Sequence, residues 1–249
     1  MLEYPMQGRL FHIKKNISSP EYMKVLVLRT IGNFLLFSSL FLIIKTFYLP
    51  VREEIVYLID KIGQKKYVVL DRVRVQDEGK KLEEIPKGLL AKALNLKPVE
   101  YLIPEDPNFS IVIPKIHANA RVLSNIDPSE EKTYLEALQK GVAHAAGTAF
   151  PGENSHVFLF AHSTDYFWNV GSYNAVFYLL NKLEKGDEVN LFYKGQRYLY
   201  RVSGTRVVNP DQVEYLTRKS NSEFLTLQTC WPLGTTLKRL LIFATRVIQ

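Results

Sequence analysis

Hydrophobic positions fall along this chain in two textures. From Thr30 to Tyr48 they form one nearly unbroken apolar stretch. At 1.5 Å per residue a helix of this length nearly spans a bilayer core of roughly 30 Å. Between Leu35 and Ile44 only Ser38 and Ser39 are polar, so a membrane span fits better than a buried core helix. Lys45 lies near one end, where its long stem lets the ammonium reach the interface. Tyr48 suits the interfacial belt, and Pro50 is expected to stop the helix.

From Phe109 onward the texture changes to short runs separated by turn-formers, the pattern of a barrel or sandwich. Strands are predicted at Ile111–Ile113, Ala120–Leu123, Ala143–Thr148 and Val157–His162, with Pro151-Gly152-Glu153-Asn154 as the turn between the last two. Four more strands close the chain, at Glu188–Tyr193, Arg197–Val208, Phe224–Cys230 and Arg239–Val247. Pro128-Ser129-Glu130-Glu131 reads as the start of an amphipathic helix running toward Gly141, the two acids favoured by the helix dipole. Val176, Phe177, Leu179, Leu180 and Leu183 predict a second helix over Tyr173–Leu183.

Between these textures lies a third region. It is charge-rich at Asp60–Lys66 and Asp77–Lys81, carries a short helical pattern at Lys87–Leu96, and is broken by Pro98, Pro104 and Pro107. The resulting organisation is a cytoplasmic segment (1–29), a transmembrane helix (30–49), an extracytoplasmic stalk or accessory region (50–106) and a β-patterned domain (107–249). Arg9, Lys14, Lys15, Lys24 and Arg29 precede the span, against Lys45, Arg52, Lys61, Lys65 and Lys66 at or after it. That slight asymmetry points to a cytoplasmic N-terminus and an uncleaved anchor.

Composition narrows the function classes. The net charge of +7 is spread along the chain with no nucleic-acid motif, which argues against a nucleic-acid partner. The single cysteine, Cys230, excludes an internal disulfide and a cysteine-based zinc site. No carboxylate constellation demands a metal, and no cofactor is expected.

Cys230 ends a predicted core strand just before Trp231-Pro232-Leu233-Gly234, a turn-rich break where a thiol can be half exposed. A thiol is mostly protonated at neutral pH and needs a proton acceptor or a nearby cation to become a nucleophile. His162 ends its own strand and can accept the proton. Arg239 opens the final strand, and its permanent charge can hold an oxyanion, as can a backbone N–H such as that of Trp231.

These residues sit in a wider pattern. Leu225-Thr226-Leu227-Gln228-Thr229-Cys230 resembles the Thr-Leu-x-Thr-Cys motif of sortases, and Lys238–Ala244 resembles their arginine-bearing last strand. Gly141–His144, Thr148–Glu153, Phe160–Ser163, Gly186–Val189 and Tyr198–Val202 follow the family order, so the resemblance covers about Ile111 to Val247. It implies a mainly β fold, an eight-stranded barrel with short helices. It also implies a cysteine transpeptidase with Cys230 as nucleophile, His162 as proton carrier and Arg239 as oxyanion holder. The implied partners are secreted proteins with a C-terminal sorting signal of the Leu-Pro-x-Thr-Gly kind, a cell-surface amine acceptor, and the membrane holding a single-pass anchor.

The Cys230–Arg239 spacing and the Trp231–Gly234 turn look closer to classes C, D and E than to A or B. The absence of a second apolar span and of a lid motif argues against a pilin polymerase. Substrate is expected against the loop from Val208 to Ser222, including Pro210 and Leu216. His144 is expected to be a structural hydrogen-bonder, and His12, His117 and His156 to be surface residues. The competing reading is a catalytically silent anchored barrel that binds envelope peptides or glycans.

Overall fold

The computed structural model describes residues 20–63, 65–70, 99–163 and 176–248. Helix α1 runs from Pro20 to Gly63, and its stretch Pro20–Tyr48 is long and apolar enough to cross a membrane, with none of its apolar window buried. The chain divides into two units, Met1–Phe47 and Tyr48–Gln249. Contrary to the sequence expectation, Pro50 does not stop α1. An interior proline removes one backbone hydrogen bond and strains the preceding turn. Here the turns beyond it are held by outside contacts. Tyr57 is buried in the main core cluster, Glu54 lies 3.1 Å from Lys182 Nζ, and Asp60 accepts from the Tyr67 hydroxyl at 2.5 Å.

Strands β1 (Lys66–Val69) and β2 (Val99–Leu102) pair in parallel as a small sheet. Then β3 (Phe109–Ile113), β4 (Ala118–Ile126), β5 (Val142–Ala145), β6 (His156–Phe160), β7 (Glu188–Tyr193), β8 (Gln196–Val208), β9 (Phe224–Trp231) and β10 (Lys238–Arg246) follow. These eight close into a barrel in the order β10-β8-β7-β3-β4-β5-β6-β9. Closure leaves no unpaired edge to manage. All neighbours are antiparallel except β4–β5 and β6–β9. A parallel pair needs a crossover, which α2 (Glu131–Leu138) supplies between β4 and β5. Ile111, Ile113, Leu159, Leu191, Leu225, Leu227 and Ile242 are fully buried in the main core.

The described parts of the region expected to be a stalk pack on the barrel. Val69 and Leu102 meet Val112 and Phe192, and Arg197 Nη1 donates to the Val69 carbonyl at 3.1 Å. Asp77–Lys81 and Lys87–Leu96 lie outside the described residues.

The helix expected over Tyr173–Leu183 is corrected where it is described: residues 176–179 form a turn and Leu180–Lys182 a 3-10 helix. Phe177, Leu180 and Leu183 are all buried at intervals of three, the 3-10 period. Over so short a run that spacing cannot be told from 3.6. Tyr173–Ala175 lie outside the described residues.

Candidate active site

The barrel gathers the candidate residues at one cleft. On β9 and β10, Cys230 and Arg239 are direct antiparallel partners, and Arg239 pairs on its other side with Val208 of β8. β6 runs parallel to β9 at constant register, His156 opposite Phe224 through Phe160 opposite Gln228. The last pair of that ladder is Phe160 with Gln228, and His162 lies two residues beyond it. His162 is thus not the last strand residue, as the pattern suggested, but sits just beyond the strand. Two bonds keep the chain in line there: Ala161 N donates to the Gln228 carbonyl at 3.1 Å, and the buried Thr229 hydroxyl donates to the Ala161 carbonyl at 2.9 Å.

Strand alternation explains which side chains face outward. Leu225 and Leu227 are fully buried, while Gln228 and Cys230, of opposite parity, line a cleft of about 300 Å³. His162, Cys230 and Arg239 all open onto it. One wall is Tyr134, Leu135 and Leu138 of α2, and the other comes from the loop after β8, with Pro210, Val213 and Leu216. Phe158 and Phe160 contribute to its lining, Phe160 edge-on to Tyr134 with ring centroids 6.4 Å apart. The Val208–Ser222 loop was anticipated from the sequence; the α2 wall was not. Phe158 and Phe160 share the parity of His162, a signal alternation alone offered.

Cys230 is half-buried. Burial pushes its thiol above the ordinary range, and the neighbouring Arg239 cation pulls the other way. The thiolate is therefore disfavoured by desolvation and rescued in part by the guanidinium. Arg239 Nη1 donates to the carbonyls of Thr236 at 3.0 Å and Lys238 at 3.1 Å, which fixes the guanidinium at the cleft. Trp231 closes β9 opposite Lys238 and packs against the core, followed by a cis Trp231–Pro232 bond. Among the described residues no group of three or more His, Cys, Asp or Glu could hold a metal ion.

The other described histidines are structural. His144 is fully buried, with Asn125 N donating to its Nδ1 at 3.3 Å and its Nε2 donating to the Ala149 carbonyl at 3.0 Å. Burial lowers its pKa, so the neutral ring is favoured. The surface assignment of His156 is corrected. It is 2% exposed, stacked on Phe224 at 4.2 Å, and its Nε2 is 2.9 Å from Thr226 Oγ1. His117 is likewise not a free surface residue, since its Nε2 lies 2.9 Å from Asp60 Oδ2 of α1. Neither pairing could be read locally, because both partners are distant in the chain. His12 lies outside the described residues.

A family model described as the sortase domain matches residues 111–247, more than half of the chain. The chain belongs to the sortase family. The sortase match begins in β3 and ends just past β10, so it covers the barrel and leaves α1, β1 and β2 outside. Sortase D of Bacillus subtilis (strain 168) is 30% identical over 138 residues, 54% of this chain and 61% of that protein. The chain thus matches about three-fifths of the length of this curated relative. Among solved structures, sortase C-1 from Actinomyces oris shares 32% identity across 58% of this chain and 76% of its own, at a TM-score of 0.49. Sortase A from Corynebacterium diphtheriae shares 26% across 64% and 67%, at a TM-score of 0.48.

Proposed function

We propose that this sortase is a membrane-anchored cysteine transpeptidase that cleaves a C-terminal sorting motif of secreted proteins and transfers the acyl part to a cell-surface amine. The apolar part of α1 holds it in the membrane, with residues 1–29 on the cytoplasmic side and the barrel outside. The observation that carries this reading is the row of His162, Cys230 and Arg239 lining one cleft, the last two paired across β9 and β10.

The chemistry follows from the row. His162 takes the thiol proton, and Cys230 Sγ attacks the carbonyl carbon of the scissile peptide bond. Arg239 stabilises the negative charge that develops on the carbonyl oxygen. As the C–N bond breaks, His162 returns the proton to the leaving amine, and a thioester remains on Cys230. An incoming amine then attacks the thioester, its proton passes to His162, and the C–S bond breaks to release the product and restore the thiol. The apolar walls from α2 and the Pro210–Leu216 loop suit a motif with a leucine and a proline.

The test incubates the chain with a panel of sorting-motif peptides of the Leu-Pro-x-Thr-Gly kind and an amine acceptor, followed by intact-mass measurement. An acyl adduct on the wild type, absent from Cys230→Ala, is expected, with amine-dependent ligation product. A folded barrel that forms no adduct with any peptide of the panel overturns the reading in favour of a binding-only barrel.

A further inference from the structure

Beyond Tyr48 the two faces of α1 differ in kind. Glu53, Val56, Tyr57 and Asp60 turn to the barrel side: Tyr57 and Asp60 are buried, and Glu53 and Val56 are half-buried. On the opposite face Tyr48, Val51, Ile55, Leu58 and Ile62 are between 49% and 82% exposed. Isolated exposed apolar residues are ordinary, but a contiguous stripe that continues past the end of the apolar span marks a contact surface.

The spacing of this stripe identifies its partner. Tyr48, Val51, Ile55, Leu58 and Ile62 alternate steps of three and four, the seam of a heptad repeat. In the sequence the same steps continue back through Ile44, Phe41 and Phe37 to Phe34. Inside the apolar span the period decides nothing, because every face is apolar. It decides in the last two turns, where the positions opposite the seam are Glu53 and Asp60 and the seam itself stays apolar. Ile55 and Ile62 occupy the positions that favour β-branched residues in parallel two-stranded coils, and Leu58 the position that favours leucine. Pro50 lies off the seam.

We infer that α1 pairs in parallel with α1 of a second copy of this chain, making the enzyme a homodimer whose two barrels lie on the outer sides of the paired helices. Parallel pairing rests on the anchor reading, since two chains inserted by one route share their orientation; it is independent of the cysteine chemistry. The barrel contacts of Tyr57 and Asp60 lie across the helix from the seam and stay intact when a partner helix docks.

The experiment uses the full chain in membranes, in a Cys230→Ala background that leaves no other cysteine. Single cysteines at Val51, Ile55, Leu58 and Ile62 are compared with Arg52→Cys and Glu53→Cys under mild oxidation. Disulfide-linked dimer at the seam positions, at least about fivefold above the two controls, is expected, because equivalent a and d positions face each other in a parallel pair. Adding Ile55→Lys and Leu58→Lys to Ile62→Cys should abolish that cross-link. Equal cross-linking at all six positions, or none at the seam, overturns the inference. So does a single photobleaching step per particle while a solvatochromic label at Leu58→Cys reports an apolar environment, since the bilayer surface would then be what covers the stripe.

Discussion

Cys230 and Arg239 are nearest partners across the β9–β10 ladder, the thiol and the guanidinium on adjacent strands at the mouth of one cleft. In the proposed reaction the arginine acts twice, on the thiolate before attack and on the oxyanion after it. The two actions separate experimentally, because thiol reactivity needs no substrate carbonyl.

Replacing Arg239 by methionine removes the cation that opposes burial at Cys230, so the thiol's pKa rises further. Less thiolate is then present at any pH below that range. Alkylation by iodoacetamide at pH 7.5 should slow several-fold against wild type and converge with it at high pH. Peptide turnover should fall much more, by about a hundredfold, because an oxyanion donor is lost as well. An unchanged alkylation profile would show that the guanidinium does not reach the sulfur's field.

Thr229 holds the site through the backbone beside His162. Its buried hydroxyl bonds the Ala161 carbonyl, one residue before His162 and one residue before Cys230. Thr229→Val keeps the shape and leaves that carbonyl without its partner, a loss of about 1–3 kcal/mol. Thermal unfolding should shift accordingly. Turnover should drop through kcat more than KM, as His162 loses its fixed height along the row, and Thr229→Ser should restore both. A Thr229→Val protein with normal kcat would show that the loop is held by other contacts.

Much of this site was legible because strand alternation is local. The parity of Cys230 and the turn after it could be read residue by residue, and the ordered resemblance added the row's other members. What escaped the sequence depends on partners far along the chain. His156 becomes a core residue because Phe224 and Thr226 arrive beside it, and α1 continues past Pro50 with Tyr57 and Asp60 docked beyond it. The α2 wall was missed for the same reason: the helix was predicted correctly, but nothing in its own sequence says which strands its apolar face covers.

Gly141 sits just before β5, where the chain passes close to β4. A Cβ there would meet the Arg121 carbonyl oxygen at 2.6 Å and Leu123 Cδ1 at 3.2 Å. The first contact is with backbone, so it cannot be relieved by a rotamer change. Gly141→Ala should therefore destabilise the barrel by roughly 2–4 kcal/mol, read as a lower urea midpoint with an unchanged m-value. The substitution would be harmless only if β4 and β5 can separate locally, and a wild-type midpoint would reveal that.

His156 gives the barrel a dependence on acid. Its ring is stacked on Phe224 and edge-on to Phe158, bonded to Thr226, and near the Arg218 cation. Burial lowers its pKa from 6.5 to about 4, against a smaller upward pull from a backbone hydrogen bond at Arg218 and with a still smaller push from the Arg218 charge. Between those values the unfolded chain binds a proton that the folded chain refuses, so stability rises with pH across the window and is lost as pH falls through it. The loss on going from pH 7 to pH 4 should be on the order of 1–3 kcal/mol from this residue. His156→Phe keeps an aromatic ring against Phe224 but cannot titrate. It should cost about 1 kcal/mol at pH 7 through the lost Thr226 bond, and its stability should then decline less steeply than wild type as pH falls. Urea unfolding at pH 7, 5.5 and 4.5 separates the two proteins. Parallel pH curves would mean that the histidine takes up its proton in the folded barrel as readily as in the unfolded chain, and that burial does not govern its charge.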